Sequence, residues 1–136
     1  MASGIYQAFK QKCAQKLIDI TSDTIKISLM TNSHSFDADD AGWADVSANE
    51  VAWVGYTALT LTGGAFIVDS VNDTVAIDFD NVTWTNQTGS AYHAVIWDDS
   101  VAGDPLIASI DFGGAKTCNS TDFNIVWDAA GVVLLD

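Results

Sequence analysis

Arginine is absent from this 136-residue sequence, glutamate and proline each occur once, and cysteine occurs twice. Each scarcity excludes something. Without arginine there is no guanidinium fork to grip carboxylate or phosphate in two places, which argues against phosphoryl-transfer and oxyanion-clamp chemistry. Five lysines stand against eighteen acids, a formal net charge of −13. Phosphate binding needs clustered cations, so neither nucleic acid nor an anionic membrane is an expected partner. No apolar run approaches the ~20 residues that span a bilayer. The start, Met1-Ala2-Ser3-Gly4-Ile5-Tyr6, has no basic stretch leading into a continuous apolar one, so no secretory leader is expected. Cys13 and Cys118 fit no metal or redox spacing. Free thiols in a chain made in a reducing cytoplasm are the expectation, with a bridge open only if the fold juxtaposes them.

What is present is enough to fold. Hydrophobic residues make up 49% of the chain, which argues against disorder despite the charge. The length suits one domain with a core that needs no metal or disulfide. Charge is unevenly placed: residues 1–26 carry four lysines and two acids, and residues 27–136 one lysine and sixteen acids. The two parts are therefore expected to face different surroundings.

Segment 4–19 is the one good helix candidate, with Ser3 as its cap and an apolar stripe through Ile5, Phe9, Cys13 and Leu17. Beyond residue 24 the pattern changes to a period of two, as in Ile25, Ile27, Leu29 and in Val75, Ile77, Phe79. Further runs at 51–61, 65–69, 82–85, 91–97, 106–112, 123–127 and 131–135 are separated by turns that include Asn86-Gln87-Thr88-Gly89 and Gly113-Gly114. About eight or nine short strands with one helix predict a mainly β protein, an antiparallel β-sandwich or jelly roll. The organisation expected is a helix over 1–20, packed on or projecting from a sandwich domain over 21–136. Recurring helices between strands are missing, which excludes a βαβ sheet.

Few residues invite chemistry. His34 and His93 belong to no recognisable nucleophile–base motif, and His93 alternates with Val95 and Trp97 as a packed residue would. The carboxylates read as solvated charge; no pair is marked for glycosidase work. Asp37-Ala38-Asp39-Asp40 and Asp98-Asp99 gather oxygen ligands that a calcium ion favours, but neither has the spaced EF-hand pattern. No catalytic, metal or cofactor site is therefore assigned. Trp84, Trp97 and Trp127 sit in alternating patterns and read as core. The loop 32–48 is longer than most and carries Phe36 and Trp43, pinning it or offering it to a partner. Around Trp53 apolar residues occupy both faces of the run, as in a strand either sandwiched centrally or pressed against another chain. Lys10, Lys12, Lys16, Phe36, Trp43 and Trp53 are the candidate partner contacts.

Several stretches look familiar together: Gly4-Ile5-Tyr6, Asp23-Thr24-Ile25-Lys26-Ile27-Ser28-Leu29-Met30-Thr31, Trp43-Ala44-Asp45-Val46-Ser47-Ala48-Asn49-Glu50-Val51, Gly55-Tyr56-Thr57-Ala58, Val82-Thr83-Trp84, Ala94-Val95-Ile96-Trp97-Asp98-Asp99, Ile110-Asp111-Phe112-Gly113-Gly114 and Trp127-Asp128-Ala129-Ala130-Gly131. In these the chain resembles small accessory virion proteins of tailed bacteriophages, of the kind that decorate or cement the capsid. Ala52-Trp53-Val54 departs from the small turn-forming residues expected there. The resemblance implies a non-enzymatic virion structural protein on the capsid surface, made in the host cytoplasm, without cofactor. It implies a homotrimer that binds the major capsid protein and stabilises the shell. Another virion component (tail, head-fibre base or head–tail joining protein) and a carbohydrate- or calcium-dependent binding module are the alternatives.

Overall fold

The computed structural model describes residues 3–135. The architecture is mainly β, two antiparallel sheets with little helix. The strands are β1 (Gly4–Ile5), β2 (Ile25–Met30), β3 (Leu59–Thr60), β4 (Ala65–Asp69), β5 (Thr74–Asp78), β6 (Val82–Asp98), β7 (Leu106–Ile125) and β8 (Val133–Leu135), with helices α1 (Gln7–Ala14) and α2 (Trp43–Val46). A five-stranded sheet runs β1-β7-β6-β2-β3 and a three-stranded sheet runs β4-β5-β8. One apolar core fills the space between them: Ile25, Ile27, Leu29, Ala94 and Ile96 from the large sheet meet Ile77 and Val133 from the small one. The predicted alternation along β2 and β5 is therefore realised as a sandwich.

The opposite face of the large sheet is covered by chain rather than by water. Residues 31–50 lie across it, and Val46 and Trp43 join Met30, Val95, Trp97, Leu106 and Tyr6 in a second cluster. Trp43 stacks on Trp97 with centroids 4.9 Å apart and planes 6° from parallel, while Trp97 Nε1 donates to Ser28 Oγ at 3.1 Å. Tyr56 ties down the adjoining segment by accepting from Leu29 N at 2.8 Å and donating to Glu50 at 2.9 Å. The long loop is thus a third layer, fixed by its aromatics.

Several expected boundaries move. The helix is confined to Gln7–Ala14, because Gly4 and Ile5 pair with Ser109 and Ala108 of β7 instead. Ser3 does not cap it; its Oγ accepts from Asp111 N at 2.8 Å. Of the apolar stripe, Phe9 enters the core whereas Cys13 and Leu17 are exposed. The helix ends with Lys16 at φ +59°, where Lys16 N bonds Cys13 O and Leu17 N bonds Lys12 O. That pair of bonds is the Schellman closure, here made without the usual glycine. In the run 51–61 only Leu59–Thr60 forms a strand.

The largest departure concerns 82–125. The stretches Asn86–Gly89 and Gly113–Gly114, expected as turns, lie inside β6 and β7, which pair almost continuously from Trp97↔Leu106 to Val82↔Ile125. Register shifts at Trp84/Gln87, Gln87/Thr88 and Ala91/His93 bend this ribbon, and positive φ at Gly113 and Gly114 serves the same bend. Polar and glycine residues in a strand were read as breaks when they mark bulges. The bend lays the far end of the ribbon over the core, so Trp84 and Phe123 enter it, followed by Trp127 just beyond β7. Trp84 Nε1 donates to Thr57 O at 2.9 Å and Trp127 Nε1 to Asp80 O at 3.0 Å.

Truncating Trp84 to alanine removes a buried indole and its hydrogen bond, and should cost ~3–5 kcal/mol in urea-induced unfolding. A loss below ~1 kcal/mol would contradict its place in the core.

Candidate functional site

Helix α1 packs on β7, and the space between it and the inner face of the three-stranded sheet is not closed. The result is a groove of about 340 Å³ lined by Phe9, Cys13, Lys16, Ile18, Phe66 and Leu135, among others. Its floor is apolar, and Lys16 stands at its side. Lys10 and Lys16 are exposed and Lys12 is half-buried; of the three, Lys16 lines the groove, as does the Asp19 carboxylate. At the groove's other wall is β4, whose only strand neighbour among the described residues is β5. Phe66 is 52% and Val68 72% exposed there, and Ile67 between them is half-buried.

The aromatic candidates lie elsewhere and are engaged within the chain. Phe36 is 40% exposed, but its ring packs on Tyr6 at 4.9 Å. A side chain at Gly4 would stand 2.6 Å from that ring, so glycine is what lets Phe36 lie over β1. Trp43 is committed to its stack on Trp97. Trp53 meets Tyr56 and Phe123 edge-on and covers Gly89, where a Cβ would collide with the indole. The run around Trp53 is no strand: Trp53 itself meets the bent ribbon, while Ala52 and Val54 on either side of it are exposed. The structure does not gather the six candidates: Lys16 lines the groove, Lys10 and Lys12 lie on α1, Phe36 and Trp43 hold the covering layer, and Trp53 holds the ribbon.

Phe66, Val68 and Leu135 escaped the sequence reading. Their signal was the run Ala65-Phe66-Ile67-Val68, apolar at both parities like the run around Trp53. In β4 it marks two faces with too little protein to cover them.

A second notable group is buried under the covering layer. His34 Nε2 and Ser109 Oγ are 3.1 Å apart, the His34 and His93 rings meet edge-on at 5.1 Å, and His93 Nε2 is 3.7 Å from Asp111 Oδ1. Tyr6 Oη and both imidazole Nδ1 atoms are buried without partners. Burial, aided by His93, pulls the His34 pKa down to about 4, and burial pushes Tyr6 up to about 12. His34 is therefore neutral near neutrality. Although serine and histidine touch here, Ser109 is 2% and His34 3% exposed, and no groove reaches them among those described. The pair packs the layer onto the sheet.

The acids are mostly used by the backbone. Asp45 accepts from the N–H groups of Ala41 and Gly42, which holds its carboxyl below the usual range. Asp19 and Asp69 do likewise in their turns. Among the described residues no three His, Cys, Asp or Glu side chains are placed to hold a metal ion. Cys13 and Cys118 are free thiols, one exposed and one buried.

Asp98 is the exception. It is fully buried at the end of β6, with Oδ1 accepting from Ser100 N at 2.8 Å and Oδ2 without a partner. Burial, and then the neighbouring Asp23 carboxylate, push its pKa up to about 6. A carboxyl whose folded pKa lies above its unfolded one contributes stability below the unfolded value, near pH 4, and that contribution is lost as pH rises through about 6. His34 has the opposite slope, since its folded pKa is depressed: stability present above pH 6.5 is lost as pH falls toward 4. The two offset each other in the unaltered chain, so the test is a difference. Asp98→Asn can donate to Asp23 and carries no charge; it should be more stable than the parent by about 2 kcal/mol at pH 7.5. The gap, read from urea titrations, should close by pH 4. A gap independent of pH would contradict the assignment.

No family model, curated protein or solved structure matches the chain.

Proposed function

We propose that this chain is a non-enzymatic structural protein of a tailed-bacteriophage virion, a decoration protein that binds the outer surface of the major capsid protein shell and stabilises it. The reading rests on the residue-level resemblance set out above. The structural observation that supports it is the groove: an apolar floor with Lys16 at its side, beside the helix that carries Lys10 and Lys12, on a molecule whose remaining chain is acidic. Such a protein must hold a shell on one side and present a solvated surface on the other. In this reading Lys10, Lys12 and Lys16 with the groove meet the shell, and the acidic remainder faces water, where like charge keeps particles apart. Binding to the assembled shell and not to its free subunits lowers the free energy of assembly by linkage. Self-association as a trimer would place three such grooves on one threefold position of the shell.

The test is the count of this chain in purified particles of the phage that encodes it. On the order of hundreds of copies per particle is expected for a symmetric coat of decoration protein, against about a dozen for a joining ring. The triple variant Lys10→Glu, Lys12→Glu, Lys16→Glu should reduce that number at least tenfold in moderate salt while its unfolding midpoint stays close to the parent's. Particles without the chain, or full occupancy by the triple variant, would contradict the proposal.

A further inference from the structure

The covering layer is not held evenly. Its later part is tied by backbone: Gln7 N bonds Ala38 O, Leu106 N bonds Ala41 O, Trp43 N bonds Asp104 O and Thr31 N bonds Asn49 O. Residues 32–37 have no such tie. Among the described residues their backbone hydrogen bonds stay within the layer, from His34 N to Thr31 O and from Asp40 N to Asp37 O. Two side chains fasten this stretch to the protein beneath. Phe36 lies on Tyr6 over the space that Gly4 leaves, and His34 Nε2 meets Ser109 Oγ at 3.1 Å. A segment with so few attachments opens locally at far less cost than the sheet it lies on.

His34 fits this place in one protonation state. A neutral imidazole satisfies Ser109 through Nε2, and its Nδ1 is buried without a partner. Protonation turns both nitrogens into donors, leaving a buried N–H with no acceptor and a buried charge. The surroundings offer that charge no counterion. From β6 comes the His93 ring, 5.1 Å away, and from β7 come Ser109 and, beyond His93, Asp111. The Asp111 carboxylate lies 3.7 Å from His93 Nε2 and so serves His93. From β2 comes apolar Met30, paired with His93, and after β1 the buried Tyr6 hydroxyl, which stays neutral. Within the layer Asp37 and Asp40 bear on Tyr6, and Asp39 and Asp45 bear on Asp40. Burial and that crowding push Asp40 up, so Asp40 takes a proton more readily in the closed form and opposes His34.

We infer that residues 32–37 form a proton-released strap: uptake of a proton on His34 undocks it, together with Phe36, from Ser109 and Tyr6 while the sandwich stays folded. Once in water His34 regains its ordinary proton affinity, whereas in the closed form burial and His93 hold it down at about 4. The open-to-closed ratio is therefore flat above pH 6.5 and rises up to tenfold per pH unit as pH falls from there toward 4. Opening uncovers Tyr6, Ser109 and His93 where β1, β7 and β6 meet. The strap lies apart from the groove beside α1 and works whichever face attaches to a partner.

The intact protein, carrying fluorine on its six phenylalanines, reports docking by fluorine NMR, with saturation transfer to read minor populations. The Phe36 signal is assigned by its loss in Phe36→Leu. Between pH 7.5 and 4.5 its undocked fraction relative to the docked one should rise by about a hundredfold, while the other five signals keep their folded positions. His34→Gln keeps an amide donor for Ser109 and does not titrate, so it should show no such rise. In the parent, imidazole nitrogen shifts should show His34 taking up its proton over the same pH range in which Phe36 undocks. A ratio that stays constant in the parent, an equal rise in His34→Gln, or a protonated His34 with Phe36 still docked would overturn the inference. So would collapse of all six phenylalanine signals together, which would make the event global unfolding.

Discussion

The antiparallel ladder between β6 and β7 is the constraint on which the remaining structure depends. These two strands form the centre of the large sheet at one end, where β2 and β1 flank them, and run on as a bare ribbon at the other. A straight ribbon would leave Trp84 and Phe123 in water. The bulges bend it, and the local increase in twist that a bulge brings turns those rings onto the core. Trp53, Tyr56 and Phe112 then pack around them. Gly89 is required because the indole of Trp53 occupies the place of a side chain. One hairpin therefore supplies both the floor of the sandwich and much of its closure.

That arrangement leaves the small sheet with an asymmetric task. Its inner face covers the core through Ile77 and Val133, but β4 extends past what lies beneath it, with Phe66 and Val68 uncovered. Helix α1 supports only one side of the overhang, since its Schellman closure at Lys16 turns the chain toward Ile18 and Ile20. The apolar groove and the basic residues are thus consequences of where the helix stops. The acidic remainder is arranged differently: many carboxylates cap turns by accepting backbone N–H groups, which makes them part of the loops' structure.

Much of the sandwich was legible in the sequence. A period of two is unambiguous where one face is buried and the other is not, which is why β2 and β5 were readable from Ile25-Ile27-Leu29 and Val75-Ile77. Long strands were less so. In β6 and β7 the alternation is interrupted by bulges, and a bulge uses the same glycine and asparagine that a turn does, so Asn86–Gly89 and Gly113–Gly114 looked like ends of strands. The helix was overextended because Ile5 and Leu17 continue an apolar spacing that strand pairing and a left-handed Lys16 interrupt. Of the candidate contacts, Lys10 and Lys16 are exposed, as their charge leads one to expect. Phe36, Trp43 and Trp53 could not be separated from internal aromatics, because periodicity does not say whether an exposed-looking ring will meet Tyr6, Trp97 or Phe123. Phe66 and Val68 required the sheet order, since only that reveals β4 as an edge.

In the proposed function the α1 side of the molecule attaches to the shell and the acidic remainder faces water. A particle reconstruction at a resolution that shows strand direction tests it most directly. The account predicts repeated copies of the sandwich on the shell with α1 and the groove beside it turned inward. Copies attached through the covering layer of Phe36 and Trp43, with α1 pointing to solvent, would contradict it.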